Sequence, residues 1–240
     1  LANCAAVREW DSNGTVFGYR EGFPEHQAGE FGHNDFYPVV VAAASHNGYL
    51  DGKNIIKGMI LSDEIRGRLA EAFPLKKYKV DHVVHGAIAS AITYGTLIGA
   101  NPEQIESAVG LLVAHYIPFR VIRHGYQLSD SKGASAAITT EMAIVAVRRA
   151  MMGFQGPKNV INNPEAIFRL LSGYPEDESP FDLYMGFSGE DFSIMGQHFK
   201  LGIYEHQSGG AVQAMLDLIF ANKDLITLDP NEIDNFNIVI

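Results

Sequence analysis

The sequence predicts a mainly α protein, a large all-helical domain followed by the start of a smaller α/β domain. Apolar residues recur at helical spacing from Tyr37 to about Gly153, and Asn-Pro-Glu helix starts stand at Asn101 and Asn163. Strand-like alternation is confined to the last part of the chain, in His198 to Tyr204 and Asn235 to Ile240.

Each element has its own justification. Ile56, Ile60 and Leu69 share one face of a helix, with Asp63, Glu64 and Arg66 expected off it. Asn101 reads as an N-cap, Pro102 as the first helical residue and Gln104 as the closing member of a capping box, after which Ile105, Ala108, Leu112 and Tyr116 follow at helical spacing. A further helix is expected from about Ala134 to Met152, with Ile138, Met142 and Val145 inward and Gly153 ending it. Asn163-Pro164-Glu165 leads into another at Ala166 to Leu171. Tyr174 to Gly196, rich in Pro, Asp, Glu, Ser and Gly, reads as a linker or long loop, and Gln207 to Asn222 as a helix. The expected division is residues 1–173 helical, 174–196 linker and 197–240 the beginning of the smaller domain. The start at Leu1 and the apolar finish at Ile240 read as a piece of a longer protein.

The 240 residues are 47% hydrophobic and 19% charged, enough to bury a sizeable core. A formal net charge of -10 with scattered basic residues argues against nucleic-acid binding. One cysteine, Cys4, can neither close an internal disulfide nor supply the three or four thiolates of an iron-sulfur cluster. No apolar run reaches the roughly 18 to 20 residues of a membrane span, so no membrane role is expected. A cytoplasmic protein is the expectation, or a mitochondrial matrix protein in a eukaryote.

No Walker loop, strand-bound G-x-G-x-x-G, G-x-S-x-G elbow or H-E-x-x-H occurs. What remains is a set of polar residues in loops or at helix starts: Asp11, Thr15, His33, His82, His85, Lys132 and Lys200. Elimination of water from a hydroxy-acid needs such groups: a base for the carbon-bound proton, an acid for the leaving hydroxyl and cations for the carboxylates. Histidine needs little tuning to titrate near neutrality. Taken singly, each residue also has a plain structural reading. Asp11 and Thr15 suit a turn and a cap, His33 and Asp35 suit a cap on the helix beginning near Tyr37, and His85 suits a structural histidine. Only His82 and His85 are close enough in sequence to pair as metal ligands, and no metal site is expected.

Four motifs in order carry a resemblance to a known family. Arg8-Glu9-Trp10-Asp11 with Thr15, then His33-Asn34-Asp35 before an apolar helix, is the first; Asp81-His82-Val83-Val84-His85 before an Ala-rich helix ending in Leu97-Ile98-Gly99 is the second. Ser131-Lys132-Gly133, with a long helix ending in Met152-Gly153-Phe154-Gln155-Gly156-Pro157, is the third, and Phe199-Lys200 with Tyr204, His206 and Gln207 is the fourth. The chain resembles the MmgE/PrpD family over nearly its whole length.

The resemblance implies a site between a large helical and a smaller α/β domain, a homodimer, and dehydration of 2-methylcitrate, citrate or isocitrate with no cofactor. It implies that Asp11 and Thr15 line the pocket, that His33 and His82 are the acid/base pair, and that Lys132 and Lys200 hold carboxylates. Arg123, His124, His85, Tyr204 and His206 are the further substrate-side candidates. His82 is preferred to His85 because it stands further from the helix, and the base and acid roles stay open between His33 and His82. The stretch Gly18 to Phe31 departs from the family pattern by its length. Decarboxylation of cis-aconitate, epimerisation of an amino-dicarboxylate and a non-catalytic assembly role are the competing readings.

Overall fold

Small and apolar side chains on every face make Val83–Ile98 a helix that needs neighbours all round, and it has them. The computed structural model describes residues 1–10, 14–16, 32–48, 50–123, 129–173, 175, 178–200, 208–223, 229–232 and 235. They fall in two units, Leu1–Phe199 and Lys200–Ile240.

In the first unit the helices are α1 (Ala2–Trp10), α2 (Pro38–Asn47), α3 (Gly52–Ala72), α4 (Val83–Ile98), α5 (Pro102–His115), α6 (Asp130–Met151) and α7 (Ile167–Ser172). Strand β1 (Gly14–Val16) pairs antiparallel with β2 (His198–Phe199), Gly14 opposite Phe199 and Val16 opposite His198. Short 3-10 turns occupy His33–Phe36, Leu75–Tyr78, Arg120–Arg123 and Ser193–Gly196. The second unit contains α8 (Gly209–Ala221) and a 3-10 turn at Pro230–Glu232. The fold is mainly helical, as the periodicity predicts. The second expected strand, Asn235 to Ile240, lies outside the described residues except Asn235.

Helix α4 packs against α2, α3, α5 and α6, and α1 packs on α6. One core cluster joins Val39 and Val40 of α2, Ala87 and Tyr94 of α4, Leu112 of α5 and Val147 of α6. Ala87, Ala91, Ala108 and Ala143 let these helices approach closely, each at most 1% exposed. A second cluster gathers Leu69, Phe73, Leu75, Val84, Ile88 and Phe168, with Phe168 meeting Phe73 edge-on at 5.1 Å between centroids.

The Asn101 capping box is present as read: Gln104 donates its backbone N–H to the Asn101 side chain, and the Asn101 N–H returns to the Gln104 side chain, both at 2.9 Å. Gly153 ends α6 in the left-handed region at φ 92°. Three expectations need correction. On α3, Ile56 is 59% exposed, whereas Asp63, Glu64 and Arg66 are buried at 1, 3 and 1%. Asp63 accepts the Tyr37 hydroxyl, Glu64 accepts the Gly186 and Ser193 amides and Arg66 donates to the Gly32 carbonyl, so the charged face turns inward. On α6, Ile138 is 45% exposed and the buried face runs through Ala136, Ala143, Val147 and Ala150, whose small side chains seat against α4 and α5. Neither His33 nor Asp35 caps α2, whose N-cap is Tyr37 with no side-chain cap; both lie in the preceding 3-10 turn.

Candidate active site

The turn from Gly32 to Tyr37 carries the first histidine, and α3 holds both of its ends. Arg66 donates from Nη1 to the Gly32 carbonyl at 2.7 Å, and the Tyr37 hydroxyl donates to Asp63 Oδ2. Asp63 and Arg66 are three residues apart on α3, hence on one helical face. The Arg66 guanidinium also stacks 4.8 Å above the Phe36 ring. That ring needs Gly86 beneath it, since a Cβ there would lie 2.0 Å from Phe36 Cζ.

Between these ties sits His33, 7% exposed. The Gly14 amide donates to its Nδ1 at 3.0 Å, and the rings of Tyr37 and Phe199 meet it edge-on at 5.5 and 5.3 Å. Burial, with the Arg66 charge second, pushes the His33 pKa down to about 4. Gly14 is required here: a Cβ would stand 1.8 Å from Gln197 Nε2 and 2.8 Å from His33 Nδ1.

The second histidine, His82, stands at the start of α4 beside Asp81. Asp81 is fully buried and receives Arg123 through two hydrogen bonds, Nε to Oδ2 at 2.5 Å and Nη2 to Oδ1 at 3.1 Å. Arg123 Nη2 also donates to Ser135 Oγ at 3.0 Å, and that hydroxyl donates to the Lys132 carbonyl at 3.0 Å. The turn bearing Lys132 is thereby tied to the start of α4. His82 Nδ1 lies 3.5 Å from Asp81 Oδ1. Burial first, then the charges of Arg123, Arg66, Arg8 and Arg120, hold the His82 pKa well below its ordinary value.

The Arg66 charge acts on both histidines, on Tyr37 and on Asp63. Asp63 titrates near neutrality instead of the histidines: burial raises its pKa to about 7 against the Tyr37 hydrogen bond and Arg66, which both lower it. Burial, then the Asp63 charge and hydrogen bond, raise the Tyr37 pKa. The expectation that both histidines titrate near neutrality is therefore corrected by their burial among arginines.

The Arg66 charge thus reaches both His33 and His82, and Arg123 is tied to Asp81. His85 is wholly buried within α4. Lys132 lies half-buried in the first turn of α6, and Lys200 is the first residue of the second unit. Asp11, His124, Tyr204 and His206 lie outside the described residues; Thr15 belongs to β1 by its backbone, and its side chain lies outside them. Sequence reasoning missed Tyr37, Asp63, Arg66 and Asp81. The one available signal was the Asp63-Glu64-x-Arg66 run on a helix that also carries core residues, and it reads equally as a solvated face.

The class these features define is a helical-domain protein in which histidines just before helices α2 and α4 are surrounded by carboxylates and arginines from α3 and neighbouring turns. Matching the MmgE/PrpD N-terminal domain over residues 8–179, the chain belongs to the MmgE/PrpD family. It is 26% identical over 163 residues to the 2-methylcitrate dehydratase of Escherichia coli O157:H7, covering 68% of this chain and 34% of that protein. It is 26% identical over 155 residues to the enzyme of that name from Salmonella typhi, covering 64% and 32%. A mitochondrial 2-methylcitrate dehydratase of Yarrowia lipolytica is 29% identical over 92 residues, 38% of this chain and 18% of that protein. The chain spans about a third of the length of the bacterial relatives. Among the described residues, no helix is long and apolar enough to cross a membrane.

Proposed function

We propose that this protein is a cofactor-independent hydro-lyase that dehydrates 2-methylcitrate or a related tricarboxylate such as citrate or isocitrate. The supporting observation is that His33 and His82, both under the Arg66 charge, fall in the segment matched to a family whose relatives are named 2-methylcitrate dehydratase. Removing a proton next to a carboxylate builds negative charge on that carboxylate, and fixed cations stabilise it as it forms. Lys132 and Lys200 take the carboxylates in this reading, and Asp11 and Thr15 line the pocket with His124, Tyr204 and His206. Arg123 acts through its tie to Asp81, which keeps His82 in place. Of the two histidines near the start of α4, His82 faces the reaction, because its side chain retains 13% exposure while His85 retains none.

Absorbance in the ultraviolet band of a new conjugated double bond tests the reading, with the intact protein, 2-methylcitrate or citrate, and a chelator. The expected result is a rise with 2-methylcitrate that His82→Ala or Lys132→Ala abolishes. No rise with either substrate overturns the dehydratase reading, and cis-aconitate decarboxylation and epimerisation are then assayed.

A further inference from the structure

The turn that carries His33 is fastened at both ends to one face of α3. Arg66 binds the Gly32 carbonyl, Asp63 accepts the Tyr37 hydroxyl, and the Tyr37 ring stands edge-on to the imidazole with an interplanar angle of 89°. The imidazole is further pinned by the Gly14 N–H on Nδ1 and by the Phe199 ring at 85°. A nitrogen that accepts a hydrogen bond presents its lone pair there, so the single proton of a neutral imidazole so placed is on Nε2. Removing that proton makes an imidazolate, which neutral solution does not support. An Nε2–H held this way donates a hydrogen bond and keeps its proton.

We propose that Tyr37, Asp63 and Arg66 are positioning residues that hold His33 as its Nε2–H tautomer, a hydrogen-bond donor to a substrate oxygen and not the base. The inference rests on the hydro-lyase reading for the substrate oxygen alone; the tautomer follows from the geometry. The carbon-bound proton then passes to His82, whose imidazolium gives it to the departing hydroxyl so that water leaves, and His33 steadies the negative charge that appears on the carboxylate oxygen. Neutral imidazole suits this task, because burial disfavours the charged ring at neutral pH.

The test is nitrogen NMR of the intact protein labelled at histidine, without substrate, from pH 5 to 8, with His33 assigned by its loss in His33→Gln. The expected spectrum shows a protonated Nε2 and a bare Nδ1 throughout. Asp63→Ala, which removes the Tyr37 anchor, mixes the tautomers, and Asp63→Asn, which keeps an oxygen acceptor, restores the single one. Tyr37→Leu gives the same mixing through the ring contact. In turnover, Asp63→Ala lowers kcat by about tenfold to a hundredfold with KM changed less than about threefold, the signature of misplacement. An Nδ1–H tautomer in the wild type, a His33 that charges between pH 5 and 8, or an unaltered spectrum in both Asp63→Ala and Tyr37→Leu overturns the proposal. Because the tautomer is read without substrate, absence of 2-methylcitrate turnover counts against the hydro-lyase reading and leaves this result to decide the clamp.

Discussion

Asp81 is buried completely and shares its carboxylate between the Arg123 guanidinium and the Val83 amide. Removing one partner of a buried pair leaves an uncompensated charge, so Asp81→Ala is expected to destabilise the protein by about 3–5 kcal/mol, measured by urea denaturation. The titrating residues of the site pull stability in opposite directions with pH. Asp63 has a folded pKa raised to about 7 from 3.8, so the folded state binds its proton more tightly and stability falls as pH rises through that window. His33, lowered from 6.5 to about 4, is neutral when folded and charged when unfolded in between, so its contribution rises with pH across that range. His82 is shifted in the same direction as His33. Asp63→Asn removes the falling contribution, and the variant should gain stability relative to wild type at pH 8 over pH 5. Urea melts of both proteins at the two pH values check it; an unchanged difference between them counts against a protonated, buried Asp63.

Helix α3 shows where sequence reading succeeds and where it stops. Its caps and neighbours obey local rules: Asp51 accepts the Asn54 amide at 2.7 Å, and the Asn101 box of α5 forms in full, because both depend only on residues three apart. The inward turn of Asp63, Glu64 and Arg66 depends on residues far away in the chain, which periodicity cannot see. Glu64 accepts the amides of Gly186 and Ser193, both at 2.6 Å, and Arg68 Nε at 2.8 Å. Burial works against its charge, yet the Arg68 bond and the two amides outweigh it and lower the Glu64 pKa. His33 and His82 stand out in the sequence because each precedes an apolar helix, whereas the Arg123 tie to Asp81 spans 42 residues and carries no local mark. Glu64→Ala should release the segment around Gly186 and Ser193. Amide exchange at both positions is expected to accelerate, with a loss of about 1.5–3 kcal/mol for each charged hydrogen bond removed; protection equal to wild type would show the segment to be held by other contacts.

At the scale of the whole molecule, the core and the histidines reside in the first unit. All the residues of the three core clusters lie between Phe36 and Phe168, and both histidines, the arginines around them and the α3 clamp lie before Lys200. Helix α8, in contrast, has no buried residue among those described, and Leu218 and Phe220 are 54 and 64% exposed. Stability is set by the apolar surface a chain removes from water, and the core clusters of the first unit supply that burial from within the unit itself. Chemistry is another matter, because the proposed site includes one carboxylate-binding lysine at position 200. A chain ending at Phe199 is therefore expected to keep a cooperative helical unfolding transition, with a urea midpoint close to that of the intact protein, and to lose dehydration of 2-methylcitrate. Far-ultraviolet circular dichroism in urea reads the first half and the absorbance assay the second. A non-cooperative melt would mean that the helical unit depends on residues 200–240 for its folding, while turnover retained by the shortened chain would remove Lys200 from the site.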